Sequence, residues 1–266
     1  RSEQVLLVAF YARLLAAGWP VSVPGTSVNR MCASGLQSVN FAAQAVMAGA
    51  MDLVVGGGVE SMTRVQMGGD AGPVSERILD RFDVVNQGIS AELIAERYGF
   101  SRLELDALAV ESHRRALSAI DEGRFRKEIL SVEVRGPNGE SLTITTDEGP
   151  RRGSTAEALA ALKPAFKEGG VITAASSSQI SDGAAAVLLG SKAKAAELGV
   201  RPRARIRGIG VVGTDPSLML LGPAPATRLA LKKAGLTMAD IDVFEINEAF
   251  AAVVLAWQRD TEADLS

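Results

Sequence analysis

The sequence predicts an α/β protein built from two similar halves, with a polar segment inserted in the first. A strand, a helix and a second strand follow one another between residues 26 and 55 with short links, as in a βαβ unit. Residues 63–181 are polar and glycine-rich, with few clear strand patterns. A single offset takes Gly18 to Gly235 and Cys32 to Ala249, each in a similar helix–strand–helix context, which indicates an internal repeat.

The first half of the chain alternates helix and strand patterns. Apolar residues at helical spacing predict a helix over residues 5–16. A β-leaning stretch at 26–29 runs into residues 31–35, after which a helix is predicted. The many small residues of that helix predict close packing on several sides, so we expect it to be buried. The apolar run 51–55 predicts a buried strand that ends in the three glycines 56–58. Together these elements predict a mostly parallel sheet.

Two helices and a hairpin are predicted within the inserted segment. Residues 90–98 have a helical pattern. A capping box, Ser101-x-x-Glu104, opens a second helix that runs to Ile120. Residues 129–146 alternate around a Pro-Asn-Gly turn, which is typical of a β-hairpin.

The α/β pattern resumes after the insertion. The predicted elements are a strand at 184–189, a helix near 192–198, a strand at 205–212, a helix at 225–234, a strand at 241–246 and a last helix that starts near Glu248. We therefore divide the chain into an N-terminal half made of residues 1–62 and 182–203, an inserted loop domain at 63–181, and the start of a C-terminal half at 204–266.

The composition is that of an ordinary globular protein. The 266 residues are 47% hydrophobic and 22% charged, with a net charge of −3, which argues against disorder and against a nucleic-acid-binding surface. No apolar run of about 18 residues predicts a transmembrane helix. The single cysteine, Cys32, excludes an internal disulfide and an all-cysteine zinc site and fits a reducing compartment, so we expect a cytoplasmic protein.

Cys32 is the first candidate for chemistry. It precedes a predicted helix, whose unpaired N–H groups and dipole would favour a thiolate. Ser34 and Gly35 keep this corner small enough for a substrate to approach. The alternative is an inert, buried thiol. A pair between Cys32 and the single histidine, His113, is a third hypothesis, although His113 lies among arginines on what reads as a solvated helix face.

Three other polar groups are candidates for substrate binding. Asn247 and Glu248, at the start of a predicted helix, either orient a water or carbonyl oxygen or cap the helix. The three consecutive serines at 176–178, called the serine run below, either lie along an extended ligand or form a plain turn. Arg151 and Arg152 either hold a phosphate or are solvated at the surface.

Several motifs follow one another in the order found in the thiolase family of acetyl-CoA acyltransferases. They are Asn-Arg-Met-Cys-Ala-Ser-Gly at 29–35, Gln-Ala-Val-Met-Ala-Gly at 44–49, Gly-Gly-Val-Glu-Ser-Met at 57–62, Leu-Lys-Pro-Ala-Phe at 162–166, Gln-Ile-Ser-Asp-Gly-Ala-Ala-Ala at 179–186 and Asn-Glu-Ala-Phe-Ala at 247–251. The sequence resembles this family over nearly its whole length.

The resemblance implies a thiolase-like layered fold of two repeated βαβαβαββ halves with an inserted loop domain. The first strand, helix and strand of the family lie before residue 1, and its Gly-His-Pro histidine and second cysteine lie beyond residue 266. We therefore expect both halves to be incomplete and the chain to be truncated at both ends. Family members are dimers or tetramers, so we expect a homodimer or homotetramer of the intact protein, with no nucleic-acid or membrane partner.

The resemblance also implies a reaction. The cysteine that matches Cys32 takes the acyl group as a thioester, in thiolytic cleavage of a 3-ketoacyl-CoA during fatty-acid β-oxidation or in the reverse condensation. The asparagine that matches Asn247 holds a water that stabilises the enolate oxygen. CoA is a substrate, and no cofactor or metal is expected. The alternative is a non-catalytic CoA-binding or assembly protein, because this sequence lacks the matching histidine and second cysteine.

The remaining matches imply contacts with the acyl-CoA. The last serine of the serine run, Ser178, matches a residue that contacts pantetheine. The pair Arg151 and Arg152 matches a basic pair near the nucleotide end of CoA. Ala249 and Phe250 match residues that line the acyl pocket.

Overall fold

The computed structural model describes residues 17–69 and 72–264, and the helix predicted over residues 5–16 lies outside them. The described residues form two compact units. Unit 1 contains residues 17–69 and 181–206, and unit 2 contains residues 72–180 and 207–264. None of the helices in the described residues is long and apolar enough to cross a membrane.

Unit 1 is built on one helix packed against a pair of strands. Helix α1 is Ser34–Met47, strand β1 is Leu53–Glu60, strand β4 is Gly183–Gly190 and the short helix α6 is Lys192–Glu197. The strands β1 and β4 pair antiparallel, with Leu53 opposite Gly190.

Glycines allow α1 to lie directly on β1. A Cβ at Gly56 would stand 2.8 Å from the Val39 Cα, and a Cβ at Gly58 would stand 3.1 Å from the Gly35 Cα. The Ser38 hydroxyl donates to the Gly57 carbonyl oxygen at 2.7 Å. The predicted close packing of this helix is therefore confirmed for the face toward β1, where it depends on the absence of side chains on the strand. The expectation that the helix is buried on several sides is wrong, because Leu36, Phe41 and Met47 are exposed.

Several sequence expectations for this sheet are wrong. Strand β1 does not end in the glycines 56–58 but continues to Glu60, and residues 26–29 form no strand in the described structure. The strand predicted to be buried is also largely exposed, at Leu53 and Val55 among others. The pair β1–β4 is antiparallel rather than parallel because Asp182 joins the end of β1 to the start of β4. Its carboxylate accepts the Thr63 N–H at 2.8 Å and the Ser61 hydroxyl at 3.3 Å. The returning chain therefore enters the sheet where β1 leaves it, and must run in the opposite direction.

Unit 2 carries most of the helices. They are α2 (Glu76–Leu79), α3 (Gln87–Tyr98), α4 (Arg102–Asp121), α5 (Ala156–Ala160), α7 (Pro223–Ala234) and α8 (Ala251–Thr261), with short 3-10 turns at Arg124–Lys127, Met219–Leu221 and Met238–Asp240. The predicted capping box at the start of α4 is confirmed, with the Ser101 N–H donating to Glu104 at 2.8 Å. The predicted hairpin is also confirmed, as β2 (Val132–Arg135) pairs with β3 (Ser141–Ile144).

The core of unit 2 forms where α3, α4 and α8 meet. Its buried residues are Ala91, Ile94, Ala95, Phe100, Leu105, Ile172, Phe250, Ala251, Ala252, Val253 and Ala256. Much of this core comes from the first turns of α8, so the segment 247–250 that leads into α8 is fixed by the same packing.

Two strands predicted near the end of the chain are not formed. Residues 205–212 and 241–246 have no strand ladder within the described part of the chain, because a strand exists only where a neighbour supplies hydrogen bonds. Residues 208–210 lie against α7 instead, so closely that a Cβ at Gly208 or Gly210 would clash with carbonyl oxygens of that helix.

The positions related by the internal offset share two local features, although the N-cap residues of the helices that follow, Ala33 and Phe250, differ in backbone conformation. Gly18 and Gly235 both adopt left-handed backbone, with φ of 61° and 68°. Cys32 lies two residues before α1, and Ala249 lies two residues before α8. These similarities are what two copies of one turn leading into a helix would produce.

Candidate functional site

Cys32 lies on an exposed corner immediately before α1. The backbone of Met31 is left-handed, with φ of 51°, which is unusual for a residue with a side chain. The Asn29 side chain accepts the Met31 N–H at 3.0 Å. The Ser34 hydroxyl accepts the Arg30 N–H at 2.8 Å and donates to the Met31 carbonyl oxygen at 2.6 Å. This local network presents the thiol at the surface of unit 1, and the alternative of a buried cysteine is wrong.

The predicted substrate-binding residues of unit 2 come together where the serine run meets the start of α8. The Ser178 N–H donates to the Ala249 carbonyl oxygen at 3.0 Å, and the Ala251 N–H donates to the Ser176 carbonyl oxygen at 2.9 Å. Ser177 and Phe250 form an antiparallel bridge between these bonds. Ser178, Ala249 and Phe250 therefore belong to one continuous piece of backbone pairing.

The hydroxyl groups of the serine run have different surroundings. Ser176 is buried, and its hydroxyl accepts the Thr173 N–H at 2.9 Å. The Ser177 hydroxyl donates to the Thr173 carbonyl oxygen at 2.7 Å. Ser178 is exposed, and the bond from its hydroxyl to the Gln179 carbonyl oxygen is long, at 3.4 Å. The first two serines hold the turn together, so Ser178 presents the hydroxyl that is accessible to a ligand.

An apolar corner surrounds Phe250. Phe250 is 7% exposed, and its ring packs edge to face on the ring of the exposed Phe166, with centroids 5.8 Å apart. The other side of Phe166 lies against Gly88 in the first turn of α3, where any Cβ would overlap the ring. The Asn86 side chain caps this helix by accepting the Gly88 N–H at 2.8 Å. The start of α3 and the two phenylalanines thus form one apolar surface.

One of the two interpretations of Asn247 and Glu248, that they cap the last helix, is wrong. Helix α8 begins at Ala251, and its N-cap position is Phe250, which makes no side-chain capping bond. Asn247 is exposed. The Glu248 carboxylate accepts the Ser112 hydroxyl at 2.7 Å and so connects this segment to α4. The extended pairing with the serine run displaces the start of the helix from its predicted position near Glu248.

The two arginines of the basic pair have different environments. The Arg152 guanidinium forms an ion pair with Asp121 at the end of α4, and this pairing lowers the pKa of the Asp121 carboxyl. Arg151 is exposed, and its backbone N–H donates to the His113 Nδ1 at 3.3 Å. Of the two side chains, that of Arg151 is therefore the more available to a phosphate.

The single histidine of the sequence, His113, lies on α4 and is followed directly by two arginines that form ion pairs with Glu111. Arg114 and Arg115 both bind Glu111, and these bonds lower the pKa of the Glu111 carboxyl to about 2. Because the His113 Nδ1 accepts the Arg151 amide, the ring contributes to loop structure in unit 2. Cys32 belongs to unit 1. Among the described residues, no group of three or more His, Cys, Asp or Glu side chains is arranged to hold a metal ion.

Comparison with known proteins identifies the family. A model of the N-terminal thiolase domain matches residues 10–193, and a model of the C-terminal thiolase domain matches residues 200–266. The chain belongs to the thiolase family. The resemblance seen in the sequence motifs is thereby confirmed.

Comparison with individual thiolases gives the sequence identity and the share of each relative's length that this chain covers. It is 46% identical over 263 residues to the steroid 3-ketoacyl-CoA thiolase FadA6 of Mycobacterium tuberculosis, covering 94% of this chain and 63% of that protein. It is 44% identical over 260 residues to the acetyl-CoA acetyltransferase of Pseudomonas aeruginosa, covering 92% and 66%. The chain thus spans less than two thirds of the length of these relatives.

A solved thiolase structure confirms the fold. The crystal structure of the Bacillus anthracis acetyl-CoA acetyltransferase superposes with a TM-score of 0.85 at 37% identity, covering 99% of this chain and 70% of that one. The predicted thiolase-like α/β architecture is therefore confirmed.

Two contacts of the candidate site could not be predicted from the sequence. Phe166 ends the Leu-Lys-Pro-Ala-Phe motif, and nothing in its spacing indicates that it packs on Phe250. The bond between Ser112 and Glu248 joins residues 136 apart and leaves no local signal in the sequence.

Proposed function

We propose that the thiolase represented by this chain transfers acyl groups between acyl-CoA and CoA or acetyl-CoA through a thioester on Cys32. In thiolysis, the Cys32 thiol gives up its proton and its sulfur bonds to the 3-keto carbon. The bond between C2 and C3 breaks, and acetyl-CoA leaves as an enolate that takes up one proton at C2. The thiol of a second CoA then gives up its proton, its sulfur bonds to the acyl carbon, and the bond from that carbon to the Cys32 sulfur breaks, so that Cys32 regains a proton. The observation that carries this proposal is the exposed Cys32 on a hydrogen-bonded corner at the start of a helix.

We assign the other parts of the acyl-CoA to residues of unit 2. Ser178 contacts pantetheine, which its exposed hydroxyl beside the Ala249 carbonyl supports. Ala249 and Phe250 line the acyl pocket, which the apolar contact between Phe250 and Phe166 supports. Arg151 and Arg152 lie near the nucleotide end of CoA. Asn247, which is exposed, holds the water that stabilises the enolate oxygen.

Labelling of the single cysteine tests the proposed nucleophile. We expect iodoacetamide to modify Cys32 in the folded chain, and a saturating acyl-CoA to slow this reaction because the acyl group occupies the same corner. Mass spectrometry measures the rate of modification. Cys32→Ser is the control and should take up no label. A labelling rate that acyl-CoA leaves unchanged would contradict the assignment.

A second function that we propose for the 266-residue chain on its own is CoA binding without turnover. It contains one cysteine and one histidine, and the His113 Nδ1 is engaged by the Arg151 amide. A thiolase needs further acid–base groups, and each such role contributes roughly 10²–10⁴-fold to the rate. We expect calorimetry to detect CoA binding while a thiolysis assay on the same sample shows no turnover. Turnover close to that of a full-length thiolase would eliminate this second function.

For the intact protein we propose a cytoplasmic homodimer or homotetramer with no nucleic-acid or membrane partner. The support is the family membership together with the single cysteine and the small negative net charge. Light scattering after size-exclusion chromatography measures the assembly, and a monomeric full-length protein would contradict it.

A further inference from the structure

A buried carboxylate on α3 is bonded entirely to the backbone of another segment. Glu92 is 6% exposed. Its Oε2 accepts the Val171 N–H at 2.9 Å, and its Oε1 accepts the Ile172 N–H at 2.9 Å. A buried carboxylate is costly unless each oxygen has a donor, and here two consecutive amides supply them.

The two amides directly precede the serine run. Ile172 and Thr173 are fully buried, and the Ile172 carbonyl oxygen accepts the Ala165 N–H at 2.9 Å. Thr173 then forms an antiparallel bridge with Pro164. Glu92 therefore fixes one side of the backbone that leads into residues 173–178, while residues 164–165 fix the other.

The opposite end of residues 173–178 is fixed by the start of α8, through the bonds of Ser176 and Ser178 to Ala251 and Ala249. The run is thus held at both ends, and Ser178, whose hydroxyl is exposed, belongs to the end that pairs with α8. A shift at the Glu92 end would move the turn that sets the position of Ser178.

The residue before Val171 leaves room for this carboxylate. A Cβ at Gly170 would overlap the Glu92 Oε1 atom. A glycine at this position lets the carboxylate approach both amides, and any side chain there would push it away.

We propose that Glu92 is a positioning residue for CoA: its carboxylate sets the backbone of Val171 and Ile172 and, through it, the place of Ser178 against pantetheine. This inference rests on the proposed CoA-binding function of Ser178. Glu92 itself is buried beneath the loop and contacts no reacting atom.

Substitution by the neutral amide tests the proposal. Glu92→Gln keeps the shape but turns an NH₂ group toward one of the two N–H donors, so one amide loses its acceptor. We expect faster hydrogen exchange at Val171 and Ile172. We also expect CoA binding to weaken by up to roughly tenfold, because part of the free energy of the lost charge-assisted hydrogen bond is then needed to bring Ser178 back into position. Binding of adenosine 3′,5′-bisphosphate, which lacks pantetheine, should be unchanged. NMR measures the exchange, and calorimetry measures both affinities.

Two further variants separate positioning from general stability. Glu96→Gln removes the same charge from an exposed position one turn later on α3 and should leave the exchange and both affinities unchanged. Gly170→Ala displaces the carboxylate without altering it, and should weaken CoA binding in the same way as Glu92→Gln. Because both changes act on one contact, their effects in the double variant should not add.

Unchanged exchange at Val171 and Ile172 in a folded Glu92→Gln chain would overturn the proposal. So would equal weakening of CoA and adenosine 3′,5′-bisphosphate, because that pattern means general loss of structure. A wild-type chain that binds neither ligand would instead overturn the proposed function, and with it the effect of Glu92 on affinity. A chain that binds CoA equally well with and without Glu92→Gln or Gly170→Ala would overturn the positioning role alone.

Discussion

At the scale of single residues, the described structure uses polar side chains mainly to hold backbone. Ser34 closes the corner beside Cys32, Ser176 and Ser177 close the serine run, and Glu92 binds two consecutive amides. Asp182 does the same for the sheet of unit 1 by accepting the Thr63 N–H. The side chains left exposed beside these contacts, Cys32 and Ser178, are those to which we assign chemistry or binding.

The bonds to Asp182 predict an acid-sensitive junction between β1 and β4. The Thr63 N–H, above all, holds the pKa of the Asp182 carboxyl below its ordinary value of about 3.9. Folding therefore favours the ionised form, and this contribution to stability is present above pH ~4 and is lost as the pH falls through the folded pKa. Denaturant unfolding measured between pH 3 and 7 should show a smaller loss of stability with acid in Asp182→Asn than in the wild type.

The exposed Asp242 provides the control for this measurement. Asp242→Asn should leave the dependence on acid close to that of the wild type. The same acid dependence in Asp182→Asn and in the wild type would show that the contact with Thr63 does not contribute.

At the scale of elements, close approach between a helix and a neighbouring segment depends on glycine. Helix α1 contacts β1 at Gly56 and Gly58, and the residues 208–210 approach α7 through two further glycines. The contact is backbone to backbone in each case, so adjustment of a flexible side chain cannot relieve an added methyl group.

Gly56→Ala should therefore destabilise unit 1. The new Cβ would stand 2.8 Å from the Val39 Cα, and overpacking of this kind costs roughly 1–3 kcal/mol. Gly183→Ala, at the start of β4, is the matched control, because nothing lies within 4 Å of its Cβ position. Urea unfolding measures both, and equal free energies of unfolding for the two variants would rule out the close contact.

Elements with a local signal could be predicted from the sequence, and those that depend on distant partners could not. The capping box at Ser101 and the Pro-Asn-Gly turn predicted α4 and the hairpin correctly. The strands predicted at 205–212 and 241–246 failed because a ladder depends on a neighbour, not on the segment itself. In the candidate site, the resemblance to the family indicated Ser178 and Phe250. The partner of Glu92, Val171, lies 79 residues away in the sequence, and no local pattern indicates it.

At the scale of the whole molecule, each compact unit carries one tryptophan, and the two have opposite environments. Trp19 in unit 1 is 41% exposed. Trp257 in unit 2 is 2% exposed, and its indole N–H donates to the Thr227 hydroxyl at 3.0 Å. Fluorescence can therefore report on each unit separately.

We expect acrylamide to quench Trp19 strongly and Trp257 weakly in the folded chain. Trp19→Phe should leave a blue-shifted emission that resists quenching until unit 2 unfolds, and Trp257→Phe should leave a red-shifted emission that is quenched throughout. Stern–Volmer measurements on the two variants check this. Equal quenching of both tryptophans under native conditions would contradict the burial of Trp257.

The bond between Ser112 and Glu248, together with the pairing of the serine run with residues 249–251, has a consequence for biosynthesis. Ser112 and Glu248 are 136 residues apart, so α4 and the serine run leave the ribosome long before the segment that completes them. Closing so long a loop carries an entropic cost that is offset only when the buried residues of α8 dock. The surface assigned to CoA is accordingly among the last parts of unit 2 to be assembled, and a nascent chain that stalls before α8 emerges would have most of its helices but no place for the ligand.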